Sequence, residues 1–66
     1  MQIMLNGEPR AFAERPSIAA LIAELELGGR RFAVEVNEEV VPRSTFDAYR
    51  LQDGDRVEIV HAIGGG

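Results

Sequence analysis

The sequence predicts an α+β fold in which one helix packs on one face of a mixed sheet of four to five strands. Three observations carry that expectation. Short segments with two-residue apolar alternation recur along the chain, at Gln2 to Leu5, Arg31 to Val36 and Arg56 to His61. A single stretch has helical spacing instead, with Ile18, Leu21, Ile22 and Leu25 at i, i+3, i+4 and i+7. Turn formers punctuate the rest, at Asn6-Gly7, Asn37-Glu38 and Asp53-Gly54-Asp55.

Taken in order, Gln2 to Leu5 forms the first strand, with Ile3 and Leu5 pointing inward. Asn6-Gly7 is the strongest hairpin signal in the chain, because both residues tolerate positive φ. The return strand is expected near Arg10 to Glu14, with Pro9 at its start and Phe12 as the inward anchor. Pro16-Ser17 opens the helix, and the Ser17 hydroxyl is a suitable cap for its first turn. Gly28-Gly29 is expected to stop it after about nine or ten residues, with Gly28 in the left-handed conformation. Arg31 to Val36 is the third strand, with Phe32, Val34 and Val36 on one face. Val40-Val41 is a short fourth strand ended by Pro42, and Ser44 is expected to cap one helical turn through Asp47. Phe46, Tyr49 and Leu51 are expected to fold over the edge of the core. The last strand turns Val57 and Ile59 inward. The economical burial of these stripes sets the first and last strands side by side in the middle of the sheet. That arrangement is the β-grasp, or ubiquitin-like, fold.

Sixty-six residues make one domain with a thin core. No cysteine is present to staple it, and the one histidine, His61, cannot form a metal cage by itself. We expect a domain over residues 1–63 and a pliable tail over 64–66. The net charge of −4, from 11 acidic and 7 basic residues, argues against a nucleic-acid partner. The opening Met1-Gln2-Ile3-Met4-Leu5 has neither a basic n-region nor a long apolar run. A signal peptide and a membrane span are therefore not expected, and the expected compartment is the cytoplasm. All 7 basic residues are arginine. Codon bias explains this plainly, but it also leaves no side-chain amine to accept an isopeptide bond.

An acid–base group can be assembled on paper from His61, Glu58, Asp53 and Asp55. Each has a simpler explanation. Asp53 and Asp55 flank a turn glycine, Glu58 lies out of phase with Val57 and Ile59, and His61 sits at a strand end. No glycine-rich loop joins a strand to a helix start, and a core of this size is not expected to hold a substrate pocket of several hundred Å3. No catalytic residue, bound cofactor or metal is expected.

The remaining feature is Gly64-Gly65-Gly66, close behind the last strand. Three residues reach roughly 10 Å when extended. Without Cβ atoms they form a slim arm that enters a narrow site closed to other residues. An inert flexible end is the plain alternative. The functional alternative makes the α-carboxylate of Gly66 the reactive group.

Here the chain, over essentially its whole length, resembles the sulfur carrier proteins of thiamin thiazole biosynthesis, the ThiS type. The resemblance rests on Met1-Gln2-Ile3 followed by Asn6, on Val36-Asn37 leading into Val41-Pro42-Arg43, on Leu51-Gln52-Asp53-Gly54-Asp55, and on the closing Gly65-Gly66. Gly64 is one glycine more than the pattern. The resemblance implies a non-enzymatic protein co-substrate. A free α-carboxylate is ionised at neutral pH and is a poor electrophile. A ThiF-like adenylyltransferase would use ATP and Mg2+ to convert that of Gly66 to an acyl-adenylate. A sulfur-donor system would then replace AMP to give a thiocarboxylate, and thiazole synthase would receive the sulfur. Gly64 and Gly65 would give access to both active sites.

Docking needs a surface as well as an arm. Strand alternation places Met4, Ala33, Val60 and Ala62 on the sheet face away from the helix, as an apolar patch or as ordinary scattered exposure. Ile63 has no evident partner in the fold and is expected to pack at the mouth of the partner's channel. The free chain is expected to be a monomer. Two rivals keep the tail chemistry. One is the small subunit type of molybdopterin synthase, which tends to carry proline where Ala62-Ile63 stand. The other is a ubiquitin-like modifier conjugated through Gly66. A plain interaction module with an inert tail is a third possibility.

Overall fold

The computed structural model describes residues 1–61. Its elements follow the order β1 (Gln2–Leu5), β2 (Glu8–Ala11), α1 (Ile18–Glu24), β3 (Phe32–Val36), β4 (Glu39–Val41), a 3-10 turn (Arg43–Thr45) and β5 (Arg56–His61). Among the described residues the strands form one five-stranded sheet in the order β2-β1-β5-β3-β4. β1 and β5 are neighbours, as expected, and run parallel, while the other pairings are antiparallel. α1 supplies the second layer.

Inward positions of every strand except the edge strand β2 converge with the helix stripe on one core. Ile3, Ile18, Leu21, Val34, Leu51 and Val57 are almost wholly excluded from solvent, and Val36, Val41, Phe46 and Ile59 complete the cluster. Ile22, Leu25 and Phe12 pack against it while half-buried. Tyr49 does not cover the core as expected; it is 36% exposed, whereas Phe46 and Leu51 are buried.

The β1–β2 hairpin closes through Asn6 at φ 49° and Gly7 at φ 84°, both in the left-handed region that a two-residue primed turn demands. That turn fixes the register. Leu5 faces Glu8, and β2 runs from Glu8 to Ala11 rather than from Arg10 to Glu14. Pro9 lies inside the strand, opposite Met4. The Met4 N–H donates away from β2, to the Asp55 carbonyl at 2.9 Å, so Met4 and Pro9 form a non-hydrogen-bonded pair. The missing proline donor therefore faces the open edge, where it removes no ladder bond.

Ser17 caps α1, its hydroxyl accepting from Ala20 N at 3.0 Å. The helix is seven residues long, shorter than expected. Its left-handed terminal residue is Glu26, φ 58°, and not Gly28. The Leu27 N–H donates to the Ile22 carbonyl at 3.3 Å and the Glu26 N–H to the Ala23 carbonyl at 3.2 Å. These are the paired bonds of a Schellman ending. The ending comes early because it turns Leu27 back against the core, beside Ile22. Gly29, φ 83°, serves the following turn.

The single helical turn after β4 begins two residues sooner than expected, at Arg43, with Pro42 and not Ser44 as its N-cap. Ser44 lies inside it and does not cap. The Thr45 hydroxyl supplies the local bond, donating to the Pro42 carbonyl at 2.7 Å. Two backbone bonds join the segment after this turn to α1, from Ile18 N to the Tyr49 carbonyl and from Ala19 N to the Phe46 carbonyl. They satisfy donors that the first helical turn leaves open.

Candidate functional site: the end of the central strand

β5 occupies the middle of the sheet, and His61 is its last described residue, opposite Phe32 of β3. The chain beyond it continues from the most firmly held strand of the fold. Ala62, Ile63, Gly64, Gly65 and Gly66 lie outside the described residues, so the expectations placed on them rest on the sequence.

Around His61 the surface is apolar and basic. Arg31, Phe32, Ala33, Arg43, Val60 and His61 line an open concavity of about 340 Å3. Arg43 organises it. Its guanidinium donates to the Phe32 carbonyl at 3.0 Å and lies 4.6 Å over the centre of the Phe32 ring. Phe32 in turn stacks on Phe46, with ring centres 6.5 Å apart and planes 16° from parallel. On the opposite flank, the Asn6 side-chain oxygen accepts the Ile59 N–H at 2.8 Å.

The apolar face expected from Met4, Ala33 and Val60 is divided. Val60 pairs with Ala33 beside the end of β5, and is 47% exposed. Met4, 37% exposed, stands opposite Arg56 at the other end of the same strand. Four residues of β5 separate the two rows, about 13 Å along the strand. Charged Glu58 lies on that face between them, and Arg56 stands beside Met4. The parallel β1–β5 register causes this division, and alternation within one strand cannot reveal it. Val40, 67% exposed opposite Glu35, is a further apolar residue that strand alternation puts on this face.

The acid–base group imagined from sequence is not assembled. Asp53 accepts the Gln2 N–H at 2.7 Å. Asp55 accepts the Gln52 N–H at 2.8 Å and the Asn37 side-chain amide at 3.1 Å. Both build the turn before β5, at the opposite end of the strand from His61. Glu58 is exposed on the outer face. Among the described residues no group of three or more His, Asp or Glu is placed to hold a metal ion, and no helix is long and apolar enough to cross a membrane. The surface does carry open depressions of about 210 to 340 Å3, so small size excludes a concavity less firmly than expected.

The sequence marks Asn6 as a turn former and as part of the family resemblance, and Arg43 only as part of that resemblance. Their contacts with Ile59 and Phe32 span 53 and 11 residues of sequence. No local pattern announces either bond.

Known proteins match this arrangement over its whole length. The chain is 44% identical, over all its 66 residues, to a thiazole synthase of Paramagnetospirillum magneticum, and spans 20% of that protein's length. It is 29% identical to the sulfur carrier protein ThiS of Escherichia coli, with each chain covered completely. The crystal structure of the thiamine biosynthesis protein ThiS from Geobacter metallireducens superposes with a TM-score of 0.86, at 36% identity and full coverage of both chains. The ThiS family model matches residues 3–66, from the first strand through the final glycine, and the chain belongs to the ThiS family.

Proposed function

We propose that this chain is a sulfur carrier of thiamin biosynthesis and that its site of chemistry is the carboxyl group of Gly66. The observation that carries the proposal is the family match running through residue 66, together with a central strand that reaches His61, five residues before Gly66 in the sequence. A ThiF-like adenylyltransferase, with ATP and Mg2+, joins the Gly66 carboxylate to AMP and releases pyrophosphate. A sulfur nucleophile from a donor system then attacks the acyl carbon and expels AMP, which leaves a thiocarboxylate once the donor is released. Thiazole synthase takes that sulfur into the thiazole ring. The chain itself is a co-substrate in each step. Gly64 and Gly65 let the arm pass through narrow openings, and Ile63, with Val60 and Ala33 beside the strand end, meets the partner at the mouth.

The name thiazole synthase on a longer relative that includes a stretch like this chain favours the thiazole pathway over molybdopterin. The test is intact-mass analysis after incubation with the adenylyltransferase, ATP, Mg2+ and a sulfur donor. The expected product gains the mass of one sulfur-for-oxygen exchange on its C-terminal peptide, and deletion of Gly66 abolishes that gain while the fold persists. Adducts on lysines of other proteins would instead identify a modifier. Consumption of the thiocarboxylate on adding thiazole synthase and its small substrates then separates the thiazole pathway from molybdopterin.

A further inference from the structure

The sheet is closed at the end of β5 by two side chains instead of by strands. β1 pairs with β5 only as far as Leu5 opposite Val57. Asn6 then turns, at φ 49°, although its N–H still donates to the Val57 carbonyl at 2.9 Å. In a continued parallel ladder the backbone carbonyl of that residue would accept the next β5 donor. Here the Asn6 side-chain oxygen accepts the Ile59 N–H in its place, at 2.8 Å. On the other flank β4 pairs with β3 only as far as Val41 opposite Val34. The Phe32 carbonyl, past the end of β4, accepts from the Arg43 guanidinium at 3.0 Å.

Beyond these two contacts β5 and β3 continue as a bare pair, Val60 with Ala33 and His61 with Phe32. On its inner side only Phe32 still packs, against Phe46, and a two-stranded ribbon without flanking strands is marginal in water. We propose that Asn6 and Arg43 are positioning residues, which keep this ribbon formed as far as His61, so that the adenylating enzyme meets an ordered strand end when it takes Gly66. This role rests on the sulfur-carrier reading. Both residues are exposed, so neither adds apolar burial to the core. Without either contact the last residues of β5 fray, and the enzyme must order them again on binding. Reordering about one backbone residue corresponds to roughly a tenfold loss of affinity.

A control for general destabilisation lies at the start of the same strand. Asn37, φ 51°, uses its side chain in the same way, accepting the Arg56 N–H at 3.0 Å. It stands at the far end of β5 from His61. Glycine at position 6 or 37 keeps the left-handed turn; at 6 it deletes the side-chain bond to Ile59, and at 37 the side-chain bonds to Arg56 and Asp55.

The experiment compares Asn6→Gly, Asn6→Asp, Arg43→Ala and Asn37→Gly with the native chain. Pyrophosphate release by a ThiF-like adenylyltransferase is followed against carrier concentration, and amide exchange is read at Ile59, Val60 and His61 in the free protein. Asn6→Gly and Arg43→Ala are expected to raise KM about tenfold with kcat nearly unchanged, and to speed exchange at Val60, the last N–H of β5 that faces β3. Asn6→Asp retains an acceptor and restores the native KM. Asn37→Gly lowers thermal stability without moving KM. An unchanged KM in Asn6→Gly and Arg43→Ala overturns the proposal, and so does an equal rise in Asn37→Gly. If the native chain releases no pyrophosphate, the carrier reading itself fails, and the exchange rates still decide whether these two side chains hold the strand end.

Discussion

Leu51 is the residue on which the irregular third of the molecule depends. It is fully buried, and its backbone is tied at both polar groups: its N–H donates to the Pro16 carbonyl at 2.9 Å, and its carbonyl accepts from the Arg15 side chain at 2.9 Å. Its position is therefore fixed while its side chain fills space beneath α1. A site held this way collapses poorly when the side chain is cut back. Leu51→Ala is expected to cost about 3–4 kcal/mol. A domain of this length holds only roughly 3–10 kcal/mol in total. The variant should therefore lose about a third or more of its total stability, as measured by urea unfolding followed by far-ultraviolet circular dichroism. A loss under about 1 kcal/mol would show that the pocket closes around the alanine. The residue pattern announces little of this, since Leu51 stands between Arg50 and Gln52 in a segment with no regular period.

At the scale of elements, the end of α1 is the least expected feature and the easiest to improve. Glu26 holds φ 58° to complete the Schellman turn, a conformation that a side chain with a Cβ adopts at a cost of roughly 1–2 kcal/mol. Glu26→Gly removes that strain, and loses part of the gain to the greater freedom of glycine in the unfolded chain. A net stabilisation of up to about 1 kcal/mol is expected, a rise in Tm of roughly 4–8 °C for each kcal/mol in a domain of this size. A fall in Tm would mean that the Glu26 side chain contributes more than its backbone costs.

The same element shows what a sequence reveals and what it withholds. β1, β3, β4 and β5 were legible because one face of each is buried and alternation records which face. The cap at Ser17 was legible because its chemistry is local. The end of α1 was hidden, since two glycines at 28 and 29 make a stronger local signal than a glutamate at 26, and the packing of Leu27 decided the matter. β2 was displaced because the turn type, and not apolar content, sets a hairpin's register. At the site, the glycine end was visible in composition. The division of the outer face and the contacts of Asn6 and Arg43 were not, because each depends on which strands lie together.

On the scale of the whole molecule, the division of labour between fold and tail makes a separate claim. Among the described residues the buried core runs from Ile3 to Ile59. A chain ending at His61 therefore retains every residue of that core, and its Tm is expected to stay within a few degrees of the native value. It retains the Val60–Ala33 surface and the Arg43–Phe32 stack as well, and lacks only Ala62 to Gly66. If recognition by the adenylating enzyme resides in the folded part, this truncated chain occupies the same docking surface without presenting a carboxyl group to the active site. It should inhibit adenylation of the native chain competitively, with an inhibition constant within about tenfold of the native KM, a loss of about 1.4 kcal/mol in binding. Full-length Ile63→Asp complements it: with the fold intact and Gly66 present, it should bind both partner enzymes more weakly than the native chain. Failure of the truncated chain to inhibit at a hundredfold excess, with its fold verified, would move the recognition energy from the sheet into residues 62–66. The folded domain would then serve only to carry the arm.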